Sequence, residues 1–168
     1  LIRDFGIPDH LLVARATAAR MVSPTNRIVN MPVEGGFVGM VDRDEFDEWL
    51  RERAVAAGAK RRSGSFIRIE RDDDGTAVVC FHDKGDGKDN VQRVRARAVV
   101  GADGARSQVA KQTIKGADRI PCVFAYHEII RAPAHGEGGF EASRCDIYYQ
   151  GKLSPDFYAW IFPHGDTA

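Results

Sequence analysis

A stretch near the middle of the chain, Arg97 to Ser107, most constrains the fold. Its apolar run Ala98 to Val100 predicts a short strand buried on both faces. Asp103-Gly104 predicts a tight turn in which the glycine accepts a positive φ. Ser107 to Lys111 predicts the first turn of a helix. The stretch therefore predicts a strand–turn–helix unit, with a carboxylate and free backbone N–H groups at the carboxyl end of the strand.

Two interpretations of this unit stay open. Nucleotide ligands of open α/β sheets dock at the carboxyl ends of the strands. A carboxylate there accepts hydrogen bonds from a ribose, and N–H groups at a helix start suit a pyrophosphate. The alternative is a strand, a turn and a helix cap with no ligand, because short motifs of this kind also arise by chance.

Charge and cysteine content exclude several classes of partner. The 24 Lys and Arg balance the 24 Asp and Glu, so nothing favours nucleic acid or an anionic surface as a partner. No apolar run reaches the roughly 18 residues of a membrane helix. Cys80, Cys122 and Cys145 are scattered and form no Cys-x-x-Cys pair. We therefore expect reduced thiols and no metal site.

The clearest predicted helix runs from Asp42 to Gly58. Asp42 is a candidate N-cap, and Glu45 three residues later resembles a capping box. Arg43 lies at the helix entrance, where the helix dipole disfavours a cation. That position has two explanations: an anionic cofactor nearby, or an ordinary solvated arginine.

The remaining elements are predicted mainly as strands. We expect a helix from about His10 to Arg20, and a polar loop from Asp83 to Asn90 before the third strand of an antiparallel meander. The predicted strands cover residues 21–23, 27–31, 37–41, 65–71, 76–82, 91–100, 122–131, 145–149 and 157–162. Arg93, Arg95 and Arg97 share one face of the third meander strand, which we interpret as solvated.

Aromatic residues are dense in the last predicted strand. Tyr158, Trp160 and Phe162 share one face, with Phe157 on the other. Such a face suits either a domain core or the wall of an apolar ligand site. His127 and Glu128, in an earlier predicted strand, point to opposite faces and so form no dyad with each other.

Two resemblances follow from these segments. Arg97 to Ser107 resembles the Asp-Gly fingerprint of flavin-dependent hydroxylases, although Ala110 stands where the hydroxylases have Arg. The segments 148–163 and 37–50 resemble geranylgeranyl reductases, in particular their chlorophyll and bacteriochlorophyll branch. This second resemblance extends from about Asp4 to Asp166.

The resemblance to the reductases implies an α/β (α+β) fold class. Residues 1–117 are then a partial Rossmann-like FAD-binding domain with an antiparallel β-meander. Residues 118–168 begin the antiparallel sheet of a substrate domain. The family binds FAD, takes reducing equivalents from NADPH, and reduces double bonds of a geranylgeranyl chain carried by (bacterio)chlorophyll or by a diphosphate.

The resemblance also implies roles for individual residues. Asp103 and Gly104 contact the ribose and pyrophosphate region of FAD, and Arg43 lies beside the cofactor. Tyr158, Trp160 and Phe162 line the prenyl pocket or the wall near the flavin. The sequence identifies no catalytic proton donor. We expect a cytoplasmic protein, with peripheral contact to a photosynthetic membrane compatible with its lipid-like substrate.

Two family elements have no counterpart here: the opening Gly-x-Gly-x-x-Gly unit and the later Gly-Asp segment. We therefore expect an internal fragment that by itself neither holds FAD well nor turns over. The alternatives are a fragment of an FAD-dependent aromatic monooxygenase and a non-catalytic module that binds a prenyl chain or pigment. Ala110 and the aromatic run favour the reductase.

Overall fold

A computed structural model describes residues 2–85 and 90–168. Residues 86–89, within the predicted loop from Asp83 to Asn90, lie outside the described residues. The helices and strands, in chain order, are α1 (Ile2–Phe5), β1 (Ala14–Ala16), β2 (Ala18–Val22), β3 (Ile28–Pro32), β4 (Val38–Met40), α2 (Arg43–Ala56), β5 (Gly64–Arg71), β6 (Ala77–Asp83), β7 (Val91–Ala96), α3 (Gln108–Thr113), β8 (Arg144–Tyr148) and β9 (Ala159–Ile161). Short 3-10 turns cover Asp9–Leu11, Ala117–Arg119 and Glu137–Gly139.

The chain forms two compact units. The first combines Leu1–Ala57 with Val123–Ala168, and the second is Gly58–Cys122. The first unit joins both ends of the chain because β8 pairs in parallel with β2. The domain boundary after residue 117 stays a prediction. The mixed α/β architecture with antiparallel sheets agrees with the fold class expected from the sequence.

The main sheet of the first unit has the strand order β3-β2-β8-β9. A separate antiparallel ladder joins β1 to β4. The helix predicted from His10 to Arg20 is wrong, because most of that segment forms β1 and β2. Its alanines favour a helix, but tertiary context readily overrides helix propensity. The backbone of this segment hydrogen-bonds instead to β4, β3 and β8, and a helix here would lose these strand pairings.

Gly39 shows why this ladder needs a glycine within a strand. A Cβ atom at Gly39 would lie 2.9 Å from Leu12 Cδ2 and 3.6 Å from Ile2 Cδ1. An alanine at Gly39 would therefore require the end of the Leu12 side chain to shift, whereas its contact with Ile2 would be an ordinary one.

A buried ion cluster lies across the β2–β8 pair. Arg20 and Asp146 are register partners on the two strands, and Asp146 is only 3% exposed. Arg20 Nη2 contacts Asp146 Oδ2 and donates to the Tyr148 hydroxyl at 3.1 Å. Arg144 Nε donates to Asp146 Oδ1 at 2.7 Å. The hydrogen bond to Asp146 raises the pKa of Arg144 above its ordinary value. One carboxylate thus compensates two guanidinium groups inside the sheet.

The second unit contains the predicted antiparallel meander β5-β6-β7. Val78 and Cys80 of β6 are buried at its centre. The arginines of β7 are exposed, as the sequence predicts, and they also pair with acidic side chains. Arg93 contacts Glu70, and Arg95 Nε lies 2.7 Å from Asp72 Oδ2. The hydrogen bonds from Arg68 and Arg93 hold the pKa of Glu70 below its usual range.

Two predicted strand segments are wrong. β7 ends at Ala96, no described strand pairs with Ala98 to Val100, and the Val100 side chain is 87% exposed. The segment predicted as a strand over Cys122 to Arg131 forms no named strand and pairs only at its end. There Ile130 exchanges two backbone hydrogen bonds with Ala168, and Arg131 forms an isolated bridge with Thr167. Apolar runs specify a strand only when a neighbouring strand accepts their backbone hydrogen bonds.

The other elements agree with the sequence. β2 and β3 form the expected hairpin, with Asn26 at φ +60° in its turn, and β8, β9 and α3 fall where they were expected. The three cysteines are free thiols; Cys80 and Cys145 are buried, and burial raises the pKa of Cys145. Within the described residues, no helix has the length and apolar character needed to cross a membrane.

The ion cluster predicts a large effect of one substitution. Asp146→Ala leaves two mostly buried arginine side chains, which are 19% and 17% exposed, without their carboxylate. We expect it to lower the free energy of unfolding by about 3 kcal/mol. Asp156→Ala, at an exposed aspartate, is the control and should change it by less than about 0.5 kcal/mol. Urea unfolding of the full-length gene product measures both. Equal stability of the two variants would contradict the role given to the cluster.

Candidate functional site

The Asp-Gly turn lies in the second unit and has the predicted geometry. Gly104 adopts φ +81°, and no atom lies within 4 Å of the position a Cβ would take. Gly101 is constrained differently, because a Cβ there would lie 2.9 Å from Val109 Cβ of α3. The first glycine therefore permits close packing of the turn against the helix, and the second leaves an open stretch of backbone.

The Asp103 carboxylate caps the helix that follows it. Oδ1 accepts a hydrogen bond from Ser107 Oγ at 2.5 Å. Oδ2 accepts from the backbone N–H groups of Gln108 at 2.6 Å and Val109 at 3.3 Å. The hydrogen bond from Ser107, with those from the two N–H groups, holds the pKa of Asp103 below its usual value.

The expectation of free N–H groups at this helix start is therefore wrong. Asp103 takes the N–H groups of Gln108 and Val109, and Ser107 Oγ accepts from Ala110 N at 2.9 Å. Capping by the motif's own side chains satisfies these donors. The open backbone at Gly104 and the remaining acceptor capacity of Asp103 are what the turn offers a ligand.

The side chain of Gln112 anchors α3 to the meander. Its amide accepts from Ile69 N and donates to Ile67 O, both at 3.0 Å. Gln112 thus occupies the position of a strand partner along β5. Sequence reasoning did not single out Gln112, because a polar residue in a short helix carries no local signal of a distant backbone partner.

Arg43, at the start of α2, has a local partner. Its Nε and Nη2 donate to the two carboxylate oxygens of Asp47 at 2.8 and 3.0 Å. These hydrogen bonds raise the pKa of Arg43 and lower that of Asp47. Asp47 one turn later explains how the helix tolerates a cation at its first position. The Arg43 side chain is 77% exposed, so it remains accessible to an anionic ligand.

The capping box predicted for α2 is absent. Asp42 occupies the N-cap position but makes no side-chain cap hydrogen bond. Its Oδ1 instead lies 2.5 Å from His164 Nε2, which follows β9 near the end of the chain. Sequence reasoning missed His164, because no local pattern links it to a residue 122 positions earlier.

The aromatic residues of the last strand form one continuous cluster. The Trp160 ring centroid lies 5.8 Å from that of Tyr158 and 6.3 Å from that of Phe162. Phe157 joins this cluster, stacked on Tyr158 at 4.2 Å, because β9 begins only at Ala159 and strand alternation does not apply before it. The His127 ring also lies 6.1 Å from Trp160.

The predicted site residues divide between the two units. Arg43 and the aromatic cluster belong to the first unit, and Asp103 with Gly104 belongs to the second. The metal-ligating side chains of the described residues form no group of three that could hold an ion.

Comparison with known proteins identifies the class. The chain belongs to the FAD-binding domain family, whose model matches residues 2–120. This match includes both Arg43 and the Asp-Gly turn. No solved structure matches the chain.

The resemblance to geranylgeranyl reductases is confirmed. The chain is 58% identical over 168 residues to the geranylgeranyl diphosphate reductase of Rhodobacter capsulatus, covering all of this chain and 41% of that protein. It is 34% identical to the chloroplastic enzyme of the same name from Oryza sativa, covering 99% of this chain and 37% of that protein. It is 28% identical to the digeranylgeranylglycerophospholipid reductase of Methanocaldococcus jannaschii, over 99% and 42% of the two chains. The chain thus spans about two fifths of these relatives.

The Asp103 cap predicts a pH-dependent contribution to stability. Because folding lowers the pKa of this carboxyl, its stabilising effect is present above the unfolded pKa of about 4 and is lost as the pH falls through the folded value. Asp103→Asn removes the titrating group. We expect the stability difference between wild type and variant to be largest above pH 5 and to shrink steadily toward pH 2.

Thermal unfolding between pH 2 and pH 7 measures this difference. Asp118→Asn, at an exposed aspartate outside the turn, serves as the control for the loss of a surface carboxylate. A difference between wild type and Asp103→Asn that grows as the pH falls would contradict the capping role.

Proposed function

We propose that this chain is part of an FAD-dependent reductase that uses NADPH to reduce double bonds of a geranylgeranyl chain. The observation that carries the proposal is the 58% identity along the whole chain to a protein named geranylgeranyl diphosphate reductase. Relatives named for a diphosphate and for a glycerophospholipid share the prenyl chain. The prenyl chain is therefore the part of the substrate that we assign. Whether a diphosphate or a (bacterio)chlorophyll carries it is decided by the assay below.

Gly104, Asp103 and Arg43, each considered by itself, offer groups that suit a flavin dinucleotide. At Gly104 no side chain blocks the approach of a pyrophosphate or ribose to the backbone. The Asp103 carboxylate accepts three hydrogen bonds within the protein, which leaves acceptor capacity for a ribose hydroxyl. Arg43 uses Nε and Nη2 for Asp47, and its exposed Nη1 is available for an anionic group. When bound, FAD would supply hydride transfer from NADPH to one alkene carbon, while the other alkene carbon gains a proton.

The aromatic cluster suits the hydrocarbon part of the substrate. Tyr158, Trp160 and Phe162 present large ring surfaces whose positions are fixed by mutual contacts of about 6 Å. A prenyl chain carries no hydrogen-bonding groups along its length, so rigid apolar walls must hold and orient it. Because this substrate is lipid-like, we include peripheral contact of the protein with a membrane in the proposal.

The two alternative functions receive less support. An aromatic monooxygenase shares the Asp-Gly turn, but Ala110 replaces the arginine of that pattern, and the relatives described above are named as reductases. A non-catalytic prenyl-binding module does not require an open Asp-Gly turn, which the structure retains.

The direct test uses the full-length protein encoded by the gene that contains this chain. Incubated anaerobically with NADPH, it should convert geranylgeranyl diphosphate or geranylgeranyl bacteriochlorophyll into products heavier by two hydrogens for each double bond reduced. Mass spectrometry of the extracted lipid reads this out and identifies which carrier is accepted. Unchanged prenyl mass on both carriers, with the flavin bound, would refute the proposal.

The aromatic wall predicts a specific kinetic defect. Trp160→Leu removes the ring that contacts both Tyr158 and Phe162, so we expect the KM for the prenyl substrate to rise about tenfold, since the lost apolar contact is worth about 1.4 kcal/mol. The KM for NADPH should not change. Trp49→Leu is the matched control, because Trp49 is the chain's other tryptophan and lies on α2 beside Phe46. An equal effect of the two substitutions would contradict the assignment.

A further inference from the structure

We infer that the Asp42–His164 pair is a positioning contact, which holds the helix start that carries Arg43 in a fixed position relative to β9 and to Phe162, which directly follows β9. The inference rests on the proposed function and goes beyond it. It assigns a role to two residues that touch neither flavin nor substrate in that proposal.

The first argument is the orientation of Asp42. An aspartate at an N-cap normally accepts a hydrogen bond from its own helix, but Asp42 makes no such bond. Its Oδ1 lies 2.5 Å from His164 Nε2 instead. An ionised carboxylate only accepts hydrogen bonds, so Nε2 donates. The Asp42 side chain thus contacts a residue near the other end of the chain and makes no cap hydrogen bond to the first turn of α2.

The second argument is that His164 is itself held in place. Its backbone N donates to Thr167 O at 2.8 Å, and Thr167 Oγ1 donates to His164 O at 3.1 Å. Pro163, immediately before it, is fully buried. The His164 side chain is 29% exposed. The imidazole therefore projects from a turn whose own hydrogen bonds restrict its position, so it would not move together with Asp42 if Asp42 shifted.

The third argument is a second connection between the same two segments. Gly165, next to His164, has φ +70°, and a Cβ there would lie 3.4 Å from Val13 O. Val13 N donates to Met40 O at 2.9 Å, two residues before Asp42. The turn after β9 therefore packs against the β1–β4 ladder, which leads into α2. The Asp42–His164 pair is a further contact beside this one.

These contacts matter because hydride transfer depends on distance. Arg43 directly follows Asp42, and Phe162-Pro163 directly precedes His164. In the proposed reductase, the first segment contacts the cofactor and the second contacts the prenyl chain. A shift of about 1 Å between reacting groups lowers rates by about 100-fold. Loss of the pair should therefore slow delivery of hydride to the alkene, and it should leave flavin reduction by NADPH unchanged.

The test uses single and double substitutions in the full-length protein. We expect His164→Ala and Asp42→Ala each to lower kcat about 10-fold or more with little change in the KM for the prenyl substrate. The double variant should be no worse than either single variant, because one contact is lost in all three. His164→Gln, which keeps a donor, and Asp42→Asn, which keeps an acceptor, should recover much of the rate.

The control is His135→Ala. His135 also faces a carboxylate, Glu141 at 3.2 Å, but its side chain is 76% exposed. We expect no change in kcat for this variant. Additive losses in the Asp42/His164 double variant, or slowed flavin reduction by NADPH in the single variants, would overturn the inference.

A measurement without turnover separates this inference from the proposed function. In hydrogen–deuterium exchange of the protein without substrate, His164→Ala should speed exchange in the first turn of α2, and His135→Ala should not. Unchanged exchange in α2 would overturn the positioning contact even if the enzyme is active. If wild-type protein reduces no prenyl chain, the proposed function fails, and the exchange result still decides whether the contact exists.

Discussion

The first unit depends on the parallel pairing of β2 with β8, because this pairing joins segments more than 120 residues apart. The ion cluster of Arg20, Arg144 and Asp146 lies on that pairing. Burying charge is costly unless it is compensated. The cluster therefore favours this register of β2 and β8 over other registers, which would leave a buried charge unpaired. A slip by one residue would move Asp146 to the opposite face of the sheet. The positions of the aromatic strand β9 and of the turn that contains His164 depend on this register.

Local patterns were sufficient where an element carries its own signal. The helix after Asp42, the meander and the helix after Ser107 were predicted because caps, turn glycines and alternation lie within a few residues of each other. The segment from His10 to Arg20 was wrong, because its strand character comes from β3, β4 and β8, which no local pattern reports. The strand prediction for Ala98 to Val100 was wrong for the opposite reason. This apolar run has no described strand beside it.

The candidate site shows the same limit. The sequence located the Asp-Gly turn and the positive φ of Gly104, and the structure has both. It did not show that Asp103 is already engaged by the N–H groups of α3, since that depends on the turn's exact path. Asp42 was expected to cap its helix, yet it contacts His164. The cofactor and substrate roles of Arg43, Asp103, Gly104, Tyr158, Trp160 and Phe162 remain predictions.

We propose that flavin bound to the full-length protein passes electrons to a prenyl double bond. The most direct measurement is anaerobic: the full-length protein is reduced with NADPH, and geranylgeranyl diphosphate or pigment is added while flavin absorbance near 450 nm is followed. We expect the absorbance to return without oxygen, with one flavin reoxidised for each double bond reduced. Absorbance that returns only when oxygen is admitted would contradict it and would favour an oxygen-dependent flavoprotein.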